Sequence, residues 1–321
     1  MKRLVLHTGM PKTATSTLQE AVFRQHPDVF YLGKSTKNGV TKGTRSQEIY
    51  DVLKPVLWSP KGNTDYAALA ARFKELAIDP AGEEQVVIAS WEGLGGIRER
   101  RFRSLLERVQ QIYPEYRLLK CLRNPVNWVT SQYLQNVQGQ FLKKNRDAYF
   151  HGRPWVPFET WLKRRYTKHG DMSLWLSAAD NIKVAVDVLG RENVGVFLFE
   201  DMIADADAYY RGISEFIGID GEKTLELVAG AHANPRLTQA EYDHIREVDS
   251  SLVARTRWRF SPDAERRRQM RKISRAQPDS PGVKIALTDE VRQRVIDSTC
   301  EGNRWLRDEL GLDVERHGYP L

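Results

Sequence analysis

The stretch that decides the fold is Leu4–Leu18, which reads LVLHTGMPKTATSTL. Its first residues, Leu4–Leu6, form a short apolar run that Gly9 and Pro11 interrupt, which predicts a buried strand followed by a loop. The next residues are rich in hydroxyl groups and lead into apolar positions spaced for one helix face. At such a junction free backbone amides meet the positive end of the helix dipole. The pattern therefore predicts a loop that binds a phosphate or sulfate group.

Seven consecutive residues of this loop are candidate ligands for the anion. They are Pro11, Lys12, Thr13, Ala14, Thr15, Ser16 and Thr17. Lys12 supplies a cation, and the hydroxyls supply hydrogen-bond donors. The loop is not a Walker A sequence, because that pattern requires G-x-x-x-x-G-K-[ST], whereas Lys12 follows Gly9 by three residues. An ordinary turn between a strand and a helix is the alternative.

Length and composition restrict the class of protein. The 321 residues suffice for one enlarged α/β domain or a domain with a helical appendage. The chain is 41% hydrophobic and 28% charged, which is typical of a soluble globular protein. Its net charge of +7 indicates an anionic partner: nucleic acid, a membrane surface, an anionic cofactor or an acidic acceptor. Cys121 and Cys300 lie far apart and have no metal-ligand spacing, so we expect neither a metal site nor a disulfide framework.

The ends of the chain and its hydropathy bear on localisation. Only Met1–Arg3 precede the first predicted strand, which leaves no room for the apolar region of a signal peptide. No apolar run reaches the roughly 18 residues of a transmembrane helix. We therefore expect a cytoplasmic enzyme without a transmembrane segment, and peripheral contact with a membrane stays open.

Apolar runs alternate with amphipathic segments along the first two thirds of the chain. Strands are predicted at residues 4–6, 86–89, 116–122 and 194–199. Helices are predicted at residues 65–78, 98–112, 173–189 and 205–217, and from Thr288 to before Gly311. Residues 33–65 are expected to carry little regular structure before residue 50. This alternation predicts an α/β fold with a doubly wound parallel sheet of about four to five strands. We expect a single domain over residues 1–321, with a core at about 1–220 and a helical C-terminal extension at about 221–321.

Three groups of polar residues follow the ends of predicted strands. They are the loop at residues 9–17, Glu92 after the second strand, and Arg123 after the third. Ligands of open α/β sheets bind outside the carboxyl ends of the strands. We therefore expect these groups to share one edge of the sheet.

Two blocks of the sequence resemble sulfotransferases that use PAPS (3′-phosphoadenosine 5′-phosphosulfate). The first loop is similar to the family's 5′-phosphosulfate-binding sequence, P-K-[ST]-G-T-T; Pro11, Lys12, Thr13 and Thr15 match, Ala14 stands where the family usually has Gly, and Ser16 replaces a Thr. The second block, residues 123–133, is similar to the 3′-phosphate-binding segment R-x-P-x-x-R-x-x-S-x-Y. There Arg123 and Ser131 match, and Trp128 occupies a position where the family often has a second Arg.

The resemblance spans most of the chain, although only these two blocks are specific. It implies P-loop-like nucleotide-binding topology and a bacterial type of enzyme similar to carbohydrate sulfotransferases. Such an enzyme moves a sulfuryl group from PAPS to an acceptor hydroxyl by in-line displacement, releases PAP and requires no metal. The acceptor implied is a carbohydrate or a glycolipid, because family members acting on glycans often carry a Glu at the position of Glu92.

The resemblance also implies roles for individual residues. Lys12 would stabilise negative charge on the leaving oxygen, and Glu92 would serve as the general base. His7 is the weaker alternative for the base, because a lone His within a strand is more often a core residue. If the loop holds Ala14 at positive φ, this residue costs about 1 kcal/mol relative to Gly.

Other functions and sites stay open at this point. A P-loop-type kinase and a basic nucleic-acid-binding protein are the competing functions, although the Walker A core and nucleic-acid motifs are missing. Aromatic and basic residues between positions 133 and 175 suit a polar acceptor or a packed core. A basic cluster could bind the 3′-phosphate or an acidic acceptor, or be solvated; it comprises Arg255, Arg257, Arg259, Arg266, Arg267, Arg268, Arg271, Lys272 and Arg275.

Overall fold

The computed structural model describes residues 3–36, 39–40, 47–57, 62–83, 85–144, 148–167, 171–231 and 236–321. The strands are β1 (Leu4–His7), β2 (Val29–Thr36), β3 (Gly39–Val40), β4 (Val86–Ser90), β5 (Tyr116–Leu122) and β6 (Val194–Leu198). They form one sheet in the order β3-β2-β4-β1-β5-β6. The pairings are parallel except that of β2 with β3. The predicted α/β fold with a parallel sheet is confirmed, with five parallel strands and a short antiparallel edge.

Helices connect the strands and are the main elements of the described residues in the C-terminal third. In chain order they are α1 (Thr15–Thr17), α2 (Gln47–Leu57), α3 (Tyr66–Phe73), α4 (Glu99–Ile112), α5 (Pro125–Lys143), α6 (Phe158–Arg165), α7 (Met172–Leu176), α8 (Ala178–Leu189), α9 (Phe199–Ala204), α10 (Ala206–Ile217), α11 (Gly221–Ala229), α12 (Gln239–Ser250), α13 (Leu252–Phe260), α14 (Asp263–Ala276) and α15 (Asp289–Leu310). A π-helical segment, Leu18–Phe23, continues α1, and a 3₁₀ turn, Glu92–Gly96, follows β4.

The backbone forms two compact units. The first comprises residues 1–124, 174–233 and 299–321 and contains the whole sheet. The second comprises residues 125–173 and 234–298, and its described elements are helical. The division into a core and an extension near residue 220 stays a prediction.

Helices cover both faces of the sheet in the first unit. On one face, Val5 and Cys121 belong to a buried cluster with Ile213 of α10. On the opposite face, the Tyr116 hydroxyl donates a hydrogen bond to the Leu106 carbonyl of α4 at 3.0 Å. Successive strand residues alternate between these layers. The sheet is therefore doubly wound, as predicted.

The strand β2 corrects the expectation that residues 33–65 carry little regular structure before residue 50. Its second half, Gly33–Thr36, contains no apolar run, yet its backbone continues to pair with β4 beyond a bulge between Tyr31 and Gly33. Pairing with a neighbour, and not hydrophobicity, extends this strand. The helix α2 also begins earlier than predicted, at Gln47. Residues 37–38, 41–46 and 58–61 of this region lie outside the described residues.

The last helix agrees with its predicted bounds. The Val291 amide donates to the Thr288 Oγ1 at 3.4 Å, so Thr288 caps the N-terminus of α15. The helix ends at Leu310, before Gly311 with φ 67°. No helix in the described ranges is long and apolar enough to cross a membrane.

Candidate active site

The loop after β1 follows an interior strand of the sheet, because β1 pairs with β4 on one side and with β5 on the other. The Thr8 amide donates to the Leu119 carbonyl at 3.0 Å, and the Met10 amide donates to the Cys121 carbonyl at 2.8 Å. The Thr13 hydroxyl then donates to the Met10 carbonyl at 2.7 Å. These bonds fix the beginning of the loop to the carboxyl end of β5.

Positive φ angles give the loop its path. They occur at Gly9 (81°), Lys12 (70°) and Ala14 (58°). Left-handed residues adjoining right-handed ones turn successive amides toward one point, which is the backbone form of an anion nest. The Ala14 carbonyl accepts hydrogen bonds from the amides of Thr17 at 2.9 Å and Leu18 at 3.3 Å. The amides of residues 15 and 16 come before the first of these helical hydrogen bonds. Amides at this position of a helix are suited to bind an anion.

The predicted loop ligands differ in what their side chains do. Thr13 is buried and its hydroxyl shapes the loop, as described above. Thr15 is buried, whereas Ser16 is exposed. Thr17 hydrogen-bonds with Tyr210, whose pKa burial raises to about 12. Pro11, Lys12 and Ala14 are half-buried. The Thr13 hydroxyl is therefore already engaged by the Met10 carbonyl within the loop.

Glu92 lies against the beginning of this loop. A Cβ placed on Gly9 would lie 3.1 Å from the Glu92 Cα, so the two backbones are in close approach. Glu92 opens the 3₁₀ turn after β4, and its Oε1 accepts a hydrogen bond from the Gln19 Nε2 at 3.0 Å. A residue of the helix that follows the loop thus orients the carboxylate that follows β4.

Gln19 also connects Glu92 to the interior of the sheet. Its Nε2 donates to the Ser90 Oγ at 2.8 Å, and Ser90 hydrogen-bonds with the His7 Nδ1 at 2.8 Å. His7 is fully buried and packs edge-on against Phe23, with ring centroids 5.5 Å apart. His7 therefore holds Ser90 through this hydrogen bond and has no contact with solvent. Sequence reasoning missed Gln19 and Ser90; the available signal was a polar residue among the apolar positions of the first helix.

Arg123 lies beside the loop at the end of β5. Its Nη1 donates to the Lys12 carbonyl at 3.1 Å, and its guanidinium stands 4.6 Å from the centre of the Phe199 ring. The structure therefore brings Lys12, Glu92 and Arg123 to one edge of the sheet.

The C-terminal residues support the segment that carries Arg123, a feature that sequence reasoning missed. The Asn124 amide donates to the Glu200 Oε1, and the Tyr319 hydroxyl donates to the Oε2, both at 3.0 Å. The Asn124 Nδ2 donates to the carbonyls of Gly318 at 2.8 Å and His317 at 3.1 Å. The last residues of the first unit thus pack against the end of β5.

Other predicted site residues lie in the second unit. Ser131 is half-buried on α5, and Trp128, which stands at the position of a family Arg, is fully buried. Tyr133, Phe141 and Trp161 are buried as well, so packing accounts for these three aromatic residues. Arg146 lies outside the described residues.

A buried lysine in the first unit also escaped sequence reasoning. Lys120 on β5 is fully buried, with its Nζ 5.9 Å from the centre of the Phe102 ring. Within the described ranges its amine has no hydrogen-bond partner. A Cβ placed on Gly95 would lie 3.5 Å from this Nζ. Burial lowers the pKa of the Lys120 amine to about 8.

No family model and no curated protein sequence matches this chain. Solved structures that are similar include a sulfotransferase from Alicyclobacillus acidocaldarius, at 20% identity and a TM-score of 0.42, covering 83% of this chain and 94% of that one. A mouse sulfotransferase complexed with PAP has 16% identity and a TM-score of 0.39, covering 87% of this chain and 86% of that one. A retinol dehydratase in complex with retinol and PAP has 12% identity and a TM-score of 0.37, covering 89% of this chain and 84% of that one.

Proposed function

We propose that this chain is a PAPS-dependent sulfotransferase that transfers a sulfuryl group to a hydroxyl of a carbohydrate or glycolipid. One observation carries the proposal: the loop with Lys12 contacts Arg123 through a hydrogen bond of 3.1 Å and meets Glu92 through the close approach at Gly9. An anionic donor requires cationic groups, here a lysine and an arginine, and a hydroxyl acceptor requires a base, here a carboxylate. All three groups lie at the carboxyl ends of neighbouring strands.

The residues of the loop fit the phosphosulfate end of the donor. The backbone amides at residues 15 and 16 and the Lys12 amine offer donors and positive charge, and no carboxylate belongs to the loop itself. Ala14 adopts the left-handed conformation in which a Gly is usual, so the loop has the path of a nest despite this substitution. Arg123 suits the 3′-phosphate by its planar fork, and Ser131 stays a sequence prediction for the same group.

The chemistry divides between the donor and the side chains. When bound, PAPS supplies a sulfuryl group with PAP as its leaving group. Lys12 stabilises the charge that develops on the leaving oxygen. Glu92 accepts the proton of the acceptor hydroxyl, and Gln19 orients its carboxylate through the bond to Oε1. The proposal of a sugar hydroxyl as the acceptor rests on the resemblance, because family members acting on glycans often carry a Glu at this position.

Calorimetry with PAP and AMP tests the assignment of the donor. AMP lacks the 3′-phosphate, so the wild-type protein should bind PAP more tightly, by about 10- to 100-fold for charged hydrogen bonds. Arg123→Ala should remove most of this difference, and Arg304→Ala, an exposed change on α15, should preserve it. Binding of ADP with Mg²⁺ but not of PAP would support a kinase instead.

Radiolabel transfer from PAPS to carbohydrate and glycolipid extracts tests the reaction and the acceptor. Lys12→Ala should lower kcat by about 10²- to 10³-fold, and Glu92→Gln by about 10²- to 10⁴-fold with PAP affinity preserved. Glu159→Gln, an exposed change on α6, is the matched control. Full turnover in Glu92→Gln would assign the proton transfer to another residue.

A further inference from the structure

The second unit exposes an apolar face on the helix α13. Among the described residues four large apolar side chains are strongly exposed, and three of them belong to this helix of nine residues. They are Leu252 (69%), Val253 (75%) and Phe260 (79%), whereas the fourth, Ile203 (65%), lies on α9 in the first unit. Positions 252 and 260 are two turns apart and 253 adjoins them, so the three share one side of the helix.

The opposite side of α13 is firmly anchored. The Trp258 Nε1 donates to the Phe141 carbonyl at 2.9 Å, and the two rings stack with centroids 6.4 Å apart. The Lys144 Nζ donates to the carbonyls of Arg259 at 2.7 Å and Ser261 at 2.9 Å. The apolar side chains therefore point outward from a helix held in place, and not from a frayed end.

Positive charge is concentrated on the same helix and on the next one, α14. Residues 252–276 carry nine basic and two acidic side chains, a difference of +7, which equals the net charge of the whole chain. Arg266 turns inward, where it bonds the carbonyls of Leu142 and Ser261. The exposed members are Arg257, Arg259, Arg267, Arg268, Arg271, Lys272 and Arg275. We call these residues, together with the three exposed apolar side chains, the basic-apolar face.

A groove of about 280 Å³ adjoins the exposed Val253. Phe141, Trp258 and Val248 are among the residues that line it. The groove thus offers an apolar recess beside a helix whose outer side is apolar and cationic.

We propose that the basic-apolar face binds the surface of an anionic phospholipid bilayer. Leu252, Val253 and Phe260 would enter the boundary between headgroups and acyl chains, while the arginines contact lipid phosphates. Charge complementarity and apolar exposure favour this partner together. A nucleic acid would engage the arginines and leave the apolar side chains in water. This inference does not depend on the proposed function, and its test measures membrane binding alone.

Vesicle co-sedimentation tests the proposal with the chain of 321 residues. We expect binding to vesicles of phosphatidylcholine with phosphatidylglycerol and at least tenfold weaker binding to phosphatidylcholine alone. Raising the salt from about 0.05 to 0.5 M should weaken binding, because it screens the arginines. Equal binding to both kinds of vesicle, or to neither at low salt, would overturn the proposal.

Two pairs of variants separate the apolar and electrostatic contributions. Leu252→Ser with Phe260→Ser should weaken binding at least tenfold, whereas Ile203→Ser, with a similar exposed fraction, should leave it unchanged. Arg267→Glu with Arg271→Glu should abolish it, whereas Arg100→Glu with Arg101→Glu on α4 should leave it within about threefold. Unchanged thermal unfolding midpoints verify the fold of each variant.

Competition with a DNA duplex separates a bilayer from a nucleic acid as the partner. If vesicles are the partner, the serine variant loses vesicle binding, and duplex DNA at equal phosphate concentration does not displace the wild-type protein. Wild-type vesicle binding by the serine variant, together with displacement by DNA, would refute the bilayer and assign the face to nucleic acid.

Discussion

Ala14 occupies a backbone conformation that favours glycine. Its φ of 58° and ψ of 18° are left-handed, which costs an L-residue about 1–2 kcal/mol. Glycine would remove this cost, but it would also raise the entropy of the unfolded chain, an effect of about 0.4–1 kcal/mol. The relief of strain outweighs the entropy change, so Ala14→Gly should raise the free energy of unfolding by up to about 1 kcal/mol.

Denaturant unfolding measures this effect, with Ala67→Gly as the control. Ala67 lies on the exposed side of α3, where glycine should lower the free energy of unfolding by about 1 kcal/mol. The free energy of unfolding should therefore rise in Ala14→Gly and fall in Ala67→Gly. A loss of stability in Ala14→Gly similar to that in Ala67→Gly would show that the loop is not strained at residue 14.

Lys120 links the stability of the folded chain to pH. Burial lowers the pKa of its amine from the ordinary value of 10.5 to about 8. The unfolded chain therefore retains this proton to higher pH than the folded chain, and the free energy of unfolding rises between about pH 8 and 10.5. Below pH 8 both states are protonated, and the full cost of the buried charge is present.

Lys120→Met should remove this dependence. At pH 7 we expect the variant to be more stable than the wild type by up to about 3 kcal/mol, with the difference vanishing near pH 10.5. Denaturant unfolding at several pH values measures both curves, and Lys54→Met, an exposed change on α2, is the control. Parallel curves for Lys120→Met and the wild type would refute the lowered pKa.

At the scale of elements, the helix after the first loop positions the end of β4. Gln19 donates hydrogen bonds to Ser90 at 2.8 Å and to Glu92 at 3.0 Å. Gln19→Leu keeps similar volume but removes both bonds, so the carboxylate loses its orientation. If the proposed reaction is correct, kcat should fall about 10- to 100-fold while the affinity for PAP changes little.

Steady-state kinetics measures the fall in kcat, and calorimetry measures the affinity for PAP. Gln25→Leu, an exposed change two residues beyond the segment Leu18–Phe23, should alter neither kcat nor the affinity for PAP. Gln19→Asn keeps the amide on a shorter side chain. Wild-type turnover in this variant would show that the amide is required and that the length of the side chain is not. Equal losses in turnover and PAP affinity in Gln19→Leu would instead indicate a disordered loop.

Sequence patterns predicted the strands in which apolar residues predominate and missed β2, whose second half is polar. The runs at β1, β4, β5 and β6 are buried on both faces, so hydrophobicity alone indicates them. The second half of β2 depends on backbone pairing with β4, which no local pattern encodes. The same distinction applies to the site: Lys12, Glu92 and Arg123 follow strand ends, whereas Gln19 becomes a candidate only once the helix is placed.

At the scale of the whole molecule, charge is unevenly distributed along the chain. Residues 252–276 account for the entire net charge of +7, so the remaining residues are balanced. The net charge alone indicated an anionic partner of any kind. This charge is concentrated on α13 and α14, for which we propose membrane binding, and lies far in the sequence from the loop at residues 9–17.

The C-terminus contributes to the first unit through a contact that spans much of the sequence. Tyr319 is buried, and its hydroxyl donates to Glu200, which also accepts the Asn124 amide next to Arg123. Tyr319→Phe keeps the ring but removes one bond to a carboxylate. It should lower the free energy of unfolding by about 1.5–3 kcal/mol.

Because Glu200 also holds the backbone next to Arg123, Tyr319→Phe should weaken PAP binding several-fold as well. Thermal unfolding with and without PAP measures both effects, since a ligand of the folded state raises the midpoint more when it binds more tightly. Tyr66→Phe, on α3, is the control. A loss of stability with wild-type PAP affinity would mean that the C-terminal contact supports the fold without positioning Arg123.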